Sequence, residues 1–372
     1  MQLRFSSMTV GLVHFFTLGV LTFIMVGALS QMLPVLMGIS VGGNVVISWS
    51  IYFLLLLGVV LFSFGMYYEN SGLLLAGIPA LSLGLFIFLS SITLDVLKAD
   101  RKGKSVPLMQ VSIISLWIAL IFGIVLSLSR AGVIGLEFYE AFSNFHIVIA
   151  LFGWAFALIV GVSLSIIPMF YVTPEYTPGC RRAIPFIIVG ALFSFAILFF
   201  VYPSFSIVAE LVITQGVLMY AYQTIKRLRK RRRKIPDATV SYWNTSILSL
   251  LGSVGFWWLG YIDPMFFTLA FVIFGLGFLG SLLQGMMYKI IPFLVWFHLS
   301  SSGNWDIPTI KEIIKEEDIW VQLRLYQLFI ILFLISFFFP IIKIVAASLL
   351  AVSSFVLLIN MLSGWKIYTS LR

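Results

Sequence analysis

Long apolar runs alternate with short polar joints along the chain, and the runs share one length. The stretch "VHFFTLGVLTFIMVGALSQMLPV" at 13–35 is typical. A helix of about 20 residues rises about 30 Å, the thickness of the hydrocarbon core of a bilayer, so each run predicts one membrane-crossing helix. The predicted spans are 8–32, 45–67, 72–94, 107–129, 146–168, 184–201, 205–223, 242–261, 266–291, 322–339 and 341–362, which makes eleven. The tenth is short, and Arg324 is expected to snorkel to the interface to complete it. With 61% apolar and 10% charged residues the whole of 1–372 reads as one all-α transmembrane domain, with no soluble domain. The first run lacks a small-residue cleavage site, so a retained helix is expected rather than a signal peptide. Cys180 is the single cysteine, which excludes an intramolecular disulfide and a thiolate metal cluster.

Charge then orients the spans. With residue 1 outside, 20 of the 23 basic residues fall on the inner side, and Arg4, Arg130 and Lys343 remain outside. Because basic loops stay cytoplasmic, the N-terminus is predicted to lie outside and the protein to sit in a bacterial inner membrane. The run "KRLRKRRRK" at 226–234 predicts a loop lying on an anionic leaflet, where each basic residue contributes about 1 kcal/mol. It has no interleaved aromatics and no domain behind it, so the bilayer and not nucleic acid is the expected partner. "KEIIKEED" at 311–318 predicts a short interfacial helix.

A pattern recurs in the first, fifth and ninth spans. G-x7-G-x6-P is met by Gly19, Gly27 and Pro34, by Gly153, Gly161 and Pro168, and by Gly277, Gly285 and Pro292. The copies lie 134 and 124 residues apart, four helices each time, which predicts repeats at about 8–129, 140–261 and 264–363 in a 4 + 4 + 3 arrangement. Small residues let helix backbones approach within lipid, so the glycines are expected at helix contacts and the prolines at the cytoplasmic ends. Repeat-built bundles include transporters, whose sites form at repeat interfaces. Only Glu210 and Gln215 supply polar groups of the expected kind at mid-membrane depth.

With its histidine, the first copy reads H-x4-G-x7-G-x6-P from His14 to Pro34, and it resembles the histidine-bearing helices of heme-copper oxidase subunit I, closest to the C-type oxidase and nitric oxide reductase branch. The resemblance implies a pseudo-threefold bundle of four-helix units, with metal-ligating histidines near the outer ends of out-to-in helices. It also implies that this chain lacks the family's first helix. The departures are large. The family's two hemes and copper need about six histidines, and this chain has three. Val272 stands where the third repeat would carry one, and the sixth and seventh spans have none. Oxygen reduction by the family mechanism is therefore not expected, and no catalytic residue is assigned.

His14 is expected about 9 Å below the outer surface, either as an axial ligand of a heme b or as an imidazole hydrogen-bonded to a neighbouring helix. Any heme would be noncovalent, since no Cys-x-x-Cys-His motif occurs. His146, in "SNFHIVIALFGW", comes seven residues before Gly153, whereas His14 comes five before Gly19. Two residues turn a helix by about 200°, so the rings are not repeat equivalents, and Val148 takes that place. The resemblance implies a metal role for His146, with Asn144 or Glu140 as helpers. His298 is expected in a loop. Gln31, Ser165 and Lys289 form a polar column at the inner mouth, Glu210 is a proton-carrying or simply buried carboxyl, and Met25, Met32, Met286 and Met287 belong to the core. The expected function is a heme- or metal-binding accessory protein of respiration or nitrosative stress, meeting other membrane subunits or small redox proteins. A small-solute or metal transporter and a cofactor-free scaffold are the alternatives.

Overall fold

The computed structural model describes residues 6–39, 44–100, 103–201, 206–301 and 307–371, and among these there are helices and no strands. The long helices are α1 (7–37), α2 (Val45–Tyr67), α3 (Ser71–Lys98), α4 (Val106–Arg130), α5 (139–171), α6 (Pro178–Val201), α7 (Ser206–Arg229), α8 (Ala238–Leu259) and α9 (265–301). The short α10 (Ile310–Ile313) follows, then α11 (Glu316–Ile335) and α12 (Ile342–Leu371). Nine of the helices among the described residues are long and apolar enough to cross a membrane, so the chain is an integral membrane protein set in lipid. The two long helices outside that set are α7, which carries Glu210 and Gln215, and α8, rich in Ser, Thr and Trp. Helices start where a side chain can take up free backbone N–H groups. Asn44, Asn70 and Asp237 accept from Val46, Leu73 and Thr239 at 2.9, 3.0 and 2.9 Å. Thr309 and Glu312 close a capping box on α10, so "KEIIKEED" divides into one helical turn and the start of α11. Arg4, Arg101, Lys102 and Arg372 of the charge tally lie outside the described residues.

The three helices that carry the glycine-proline pattern share a feature that hydropathy does not predict. Each contains a stretch of π-helix, at Thr17–Thr22, Ile149–Phe156 and Ile273–Gly280. Each stretch ends three residues after the first glycine of the pattern. A π turn displaces the hydrogen-bond ladder and frees carbonyls, which in a membrane must find other donors. Thr22 Oγ1 donates to the Thr17 carbonyl at 2.8 Å, Ser246 Oγ to Phe278 at 3.0 Å and Tyr326 Oη to Leu276 at 2.7 Å. The prolines do not end these helices. α1 and α5 each run three residues past theirs, and both stop on a left-handed residue, Gly38 at φ 68° and Val172 at φ 49°. α9 continues to Ser301, so His298 lies in a helix and not in a loop, because Pro292 at an interior position was tolerated rather than terminating. Its ring is exposed and sits 6.3 Å from that of Tyr368.

The chain forms two compact units, Met1–Arg233 and Lys234–Arg372, and their division falls inside the segment 140–261. In the first unit α2 and α3 pack backbone to backbone. Gly58 and Gly65 of α2 face Leu81 and Leu74 of α3, and Gly77 and Gly84 of α3 face Phe62 and Leu55 of α2, the glycines seven residues apart in each helix. A Cβ on Gly77 would lie 2.5 Å from Phe62 N, and one on Gly65 would lie 2.6 Å from Leu74 N. In the second unit α8, α9, α11 and α12 enclose a polar network. Gln322 donates to Gln284 at 2.5 Å and to Ser353 at 2.9 Å, and Asn360 donates to Tyr288 at 2.9 Å.

Candidate functional site

Two layers at one end of the first unit bring α1, α4 and α5 together. In the end layer Arg130 of α4 donates to Ser7 Oγ of α1 at 2.8 Å and to Tyr139 Oη of α5 at 3.5 Å. Seven residues, about two turns or 10 Å, separate Ser7 from His14, Tyr139 from His146 and Arg130 from Gly123. Since 3.6 residues make a turn, each of these second residues shares a face with the first, and the inner layer consists of His14, His146 and Gly123. The imidazole centroids of His14 and His146 are 6.2 Å apart, with ring planes at 18°. Gly123 makes the room, since a Cβ there would sit 3.3 Å from His146 Cε1. Phe62 of α2 closes the other flank of His14 at 5.2 Å.

The two rings differ in what their nitrogens do. His14 Nδ1 lies 2.8 Å from the Val10 carbonyl on its own helix. A carbonyl cannot donate, so Nδ1 bears the hydrogen, and in the neutral ring Nε2 carries the lone pair. That is the tautomer of an imidazole ready to ligate, held by the kind of backbone bond that orients metal-binding histidines. On His146 the Ala119 carbonyl borders the ring, while the buried Nδ1 has no hydrogen-bond partner. A buried polar atom without a partner is uncommon in a folded chain. No cluster of three or more His, Cys, Asp or Glu residues occurs among the described residues. The donor set is thus two neutral nitrogens in apolar surroundings. A donor set of this kind favours a group of low net charge, because burial penalises charge steeply.

Glu140 and Asn144 share the α5 segment with His146, and no bond from either to the imidazoles is found. Of the repeat residues, Gly153 and Gly161 face α4, where added Cβ atoms would meet Ser115 Oγ at 2.5 Å and Leu108 Cβ at 2.9 Å. Gly277 and Gly285 face Ser249 and Tyr242 of α8 at 2.7 and 2.5 Å in the same sense. Gly19 and Gly27 face α2 more loosely, toward Val59 at 3.2 Å and Tyr52 at 3.4 Å. Those two glycines meet the helix that follows theirs, whereas the other four meet the helix that precedes. Ser165 bonds Ser105 at 2.7 Å, Lys289 pairs with Asp237 at 3.1 Å, and Gln31 is exposed. Met25 and Met32 are buried and Met286 and Met287 half-buried. Glu210 is half-buried and has an interaction partner.

Sequence reasoning did not single out Gly123, Arg130 or Val10 as parts of one site. The heptad spacings Ser7 to His14 and Tyr139 to His146 were the available signal, but they become meaningful only once Arg130 is known to bond both helices. The comparisons add nothing to this geometry, since no family model, curated protein or solved structure matches the chain.

Proposed function

We propose that this chain is a heme- or metal-binding accessory membrane protein whose ligand is held by His14, with His146 as its neighbour on the facing helix. The observation that carries this reading is the pair of rings 6.2 Å apart, with the His14 tautomer fixed by Val10. A bound heme b would supply a redox-active iron able to take a diatomic gas. The residues of the chain orient the imidazole, exclude water through Phe62 and close the outer end through the Arg130 tie. In this reading the protein works in respiration or nitrosative stress, catalyses no oxygen reduction, and meets other membrane subunits or small redox proteins. Its architecture is eleven spans in 4 + 4 + 3 repeats with the N-terminus outside, in the inner membrane of a bacterium. The π stretches that end at one pattern position in α1, α5 and α9, and the left-handed caps four residues after Pro34 and Pro168, support the repeats.

The alternative of a small-solute or metal transporter draws on a different observation, the buried amides of the second unit. Gln322 Oε1 and Tyr242 Oη there have no hydrogen-bond partner. Heme and elemental analysis of purified protein decides between the two readings. The proposal expects heme or one metal ion per chain in the wild type and none in His14→Ala. Equal and negligible content in both, in folded protein, refutes it and leaves transport or a cofactor-free scaffold.

A further inference from the structure

The first unit holds a second cluster that the histidine site does not use, at the opposite end of α5 and α7. Arg227, in the last turn of α7, keeps only 5% of its surface exposed. Its guanidinium lies over the Tyr176 ring at 5.4 Å, its Nε is buried without an acceptor, and among the described residues no carboxylate pairs with it. Around it stand hydroxyls, and the Glu175 carboxylate, next to Tyr176 in the chain, pairs with Lys104 instead. Tyr176 Oη and Thr224 Oγ1 are 3.3 Å apart, the wholly buried Tyr220 hydroxyl has no hydrogen-bond partner, and buried Cys180 is adjacent. Burial pushes the Tyr176 hydroxyl up to about 12, so it stays protonated and able to donate. The backbone closes over the cluster where Arg232 N–H donates to the Val172 carbonyl at 3.0 Å.

A buried guanidinium without a counter-charge is costly, and its planar fork of donors matches phosphate oxygens. We propose that Arg227, with the hydroxyls of Tyr176, Thr224 and Tyr220, binds a phosphate-bearing anion at this end of the bundle. The phosphate comes either from the headgroup of an anionic phospholipid or from free inorganic phosphate. The neighbourhood suits both sources. Arg181 and Arg182 open α6 beside the cluster, and the basic run continues from Arg229 to Lys234, so anions are concentrated at its mouth.

The test measures thermal unfolding of the full chain in a neutral detergent, with phosphatidylglycerol, phosphatidylcholine or inorganic phosphate added. Wild type is expected to be stabilised by phosphatidylglycerol and not by phosphatidylcholine if the headgroup is the source, and by inorganic phosphate alone if the free anion is. In either case Arg227→Gln should weaken the apparent affinity about tenfold or more, the loss of a charge-assisted bidentate contact. The double variant Lys230→Gln/Arg233→Gln, on the exposed run, should weaken the response less than Arg227→Gln does. Should Arg227→Gln fail to fold, Arg227→Lys keeps the charge without the fork and is expected to bind more weakly than wild type. Independently, native mass spectrometry of wild type should show one retained phosphatidylglycerol or phosphate adduct. The proposal is overturned if wild type shows neither adduct nor selective stabilisation, if an Arg227 variant responds as wild type does, or if the exposed double variant alone loses the response.

Discussion

At the scale of residues, the histidine site depends on one hydrogen bond and one missing side chain. Val10 fixes which nitrogen of His14 is free, and Gly123 provides the space beside His146. Replacing Gly123 with valine should therefore displace the His146 ring without touching either histidine, and should reduce ligand content or shift its spectrum. A variant that loads normally would show that His146 contributes nothing. His14 was legible as a candidate from its spacing to Gly19, but its pairing with His146 was not. Counted from the glycines the two residues differ by two positions. Counted from the start of the π stretches, at Thr17 and Ile149, each lies three residues upstream. The stretch in α5 is two residues longer, and a 3.6-residue wheel has no way to register that difference. Nor can one chain's spacing reveal that α1 and α5 meet beside α4.

At the scale of elements, close approach of backbones holds the first unit together, and glycines permit it. Lipid offers no hydrophobic drive between helices, so packing and hydrogen bonds must supply the association. Gly77→Leu should destabilise by about 3 kcal/mol or prevent folding, because the obstacle is the Phe62 backbone. Gly27→Leu should cost far less, since only the Tyr52 hydroxyl stands in its way. Thermal unfolding of the two variants checks the order, and a reversed order would contradict the packing described. The Gly58, Gly65, Gly77 and Gly84 face was present in the sequence as two heptad pairs but was masked by the stronger glycine-proline pattern. At the head of α8, burial works to raise the Asp237 carboxyl, yet the Lys289 charge and the Thr239 bonds outweigh it and hold the group below its ordinary value. A depressed carboxylate contributes stability that is complete above its unfolded value, about 4, and is lost as pH falls through the lower folded value. Asp237→Asn should accordingly flatten the acid limb of a stability-pH profile below about pH 4 and leave Lys289 unpaired at neutral pH. An unchanged acid limb would show that the pair has no linkage.

At the scale of the whole molecule, nine of the eleven apolar runs reappear among the described residues as helices long and apolar enough to cross a membrane, because length and hydropathy are set by the bilayer and not by tertiary detail. Helix ends were less legible. α6, α7, α9 and α12 extend beyond their predicted spans, since polar residues such as Arg181, Lys226 and His298 continue a helix once it has left the hydrocarbon. The basic asymmetry predicts that a reporter fused after Lys234 reads cytoplasmic and one after Arg130 reads external, and the opposite pair would invert the topology. The central claim is that His14 holds a ligand, and for heme the reduced-minus-oxidised absorption spectrum of protein made with ample heme tests it most directly. The account predicts a noncovalent b-type spectrum that responds to CO, is abolished by His14→Ala and is weakened by His146→Ala. A colourless, metal-free, correctly folded preparation would contradict it and leave His14 as a packing contact beside Phe62.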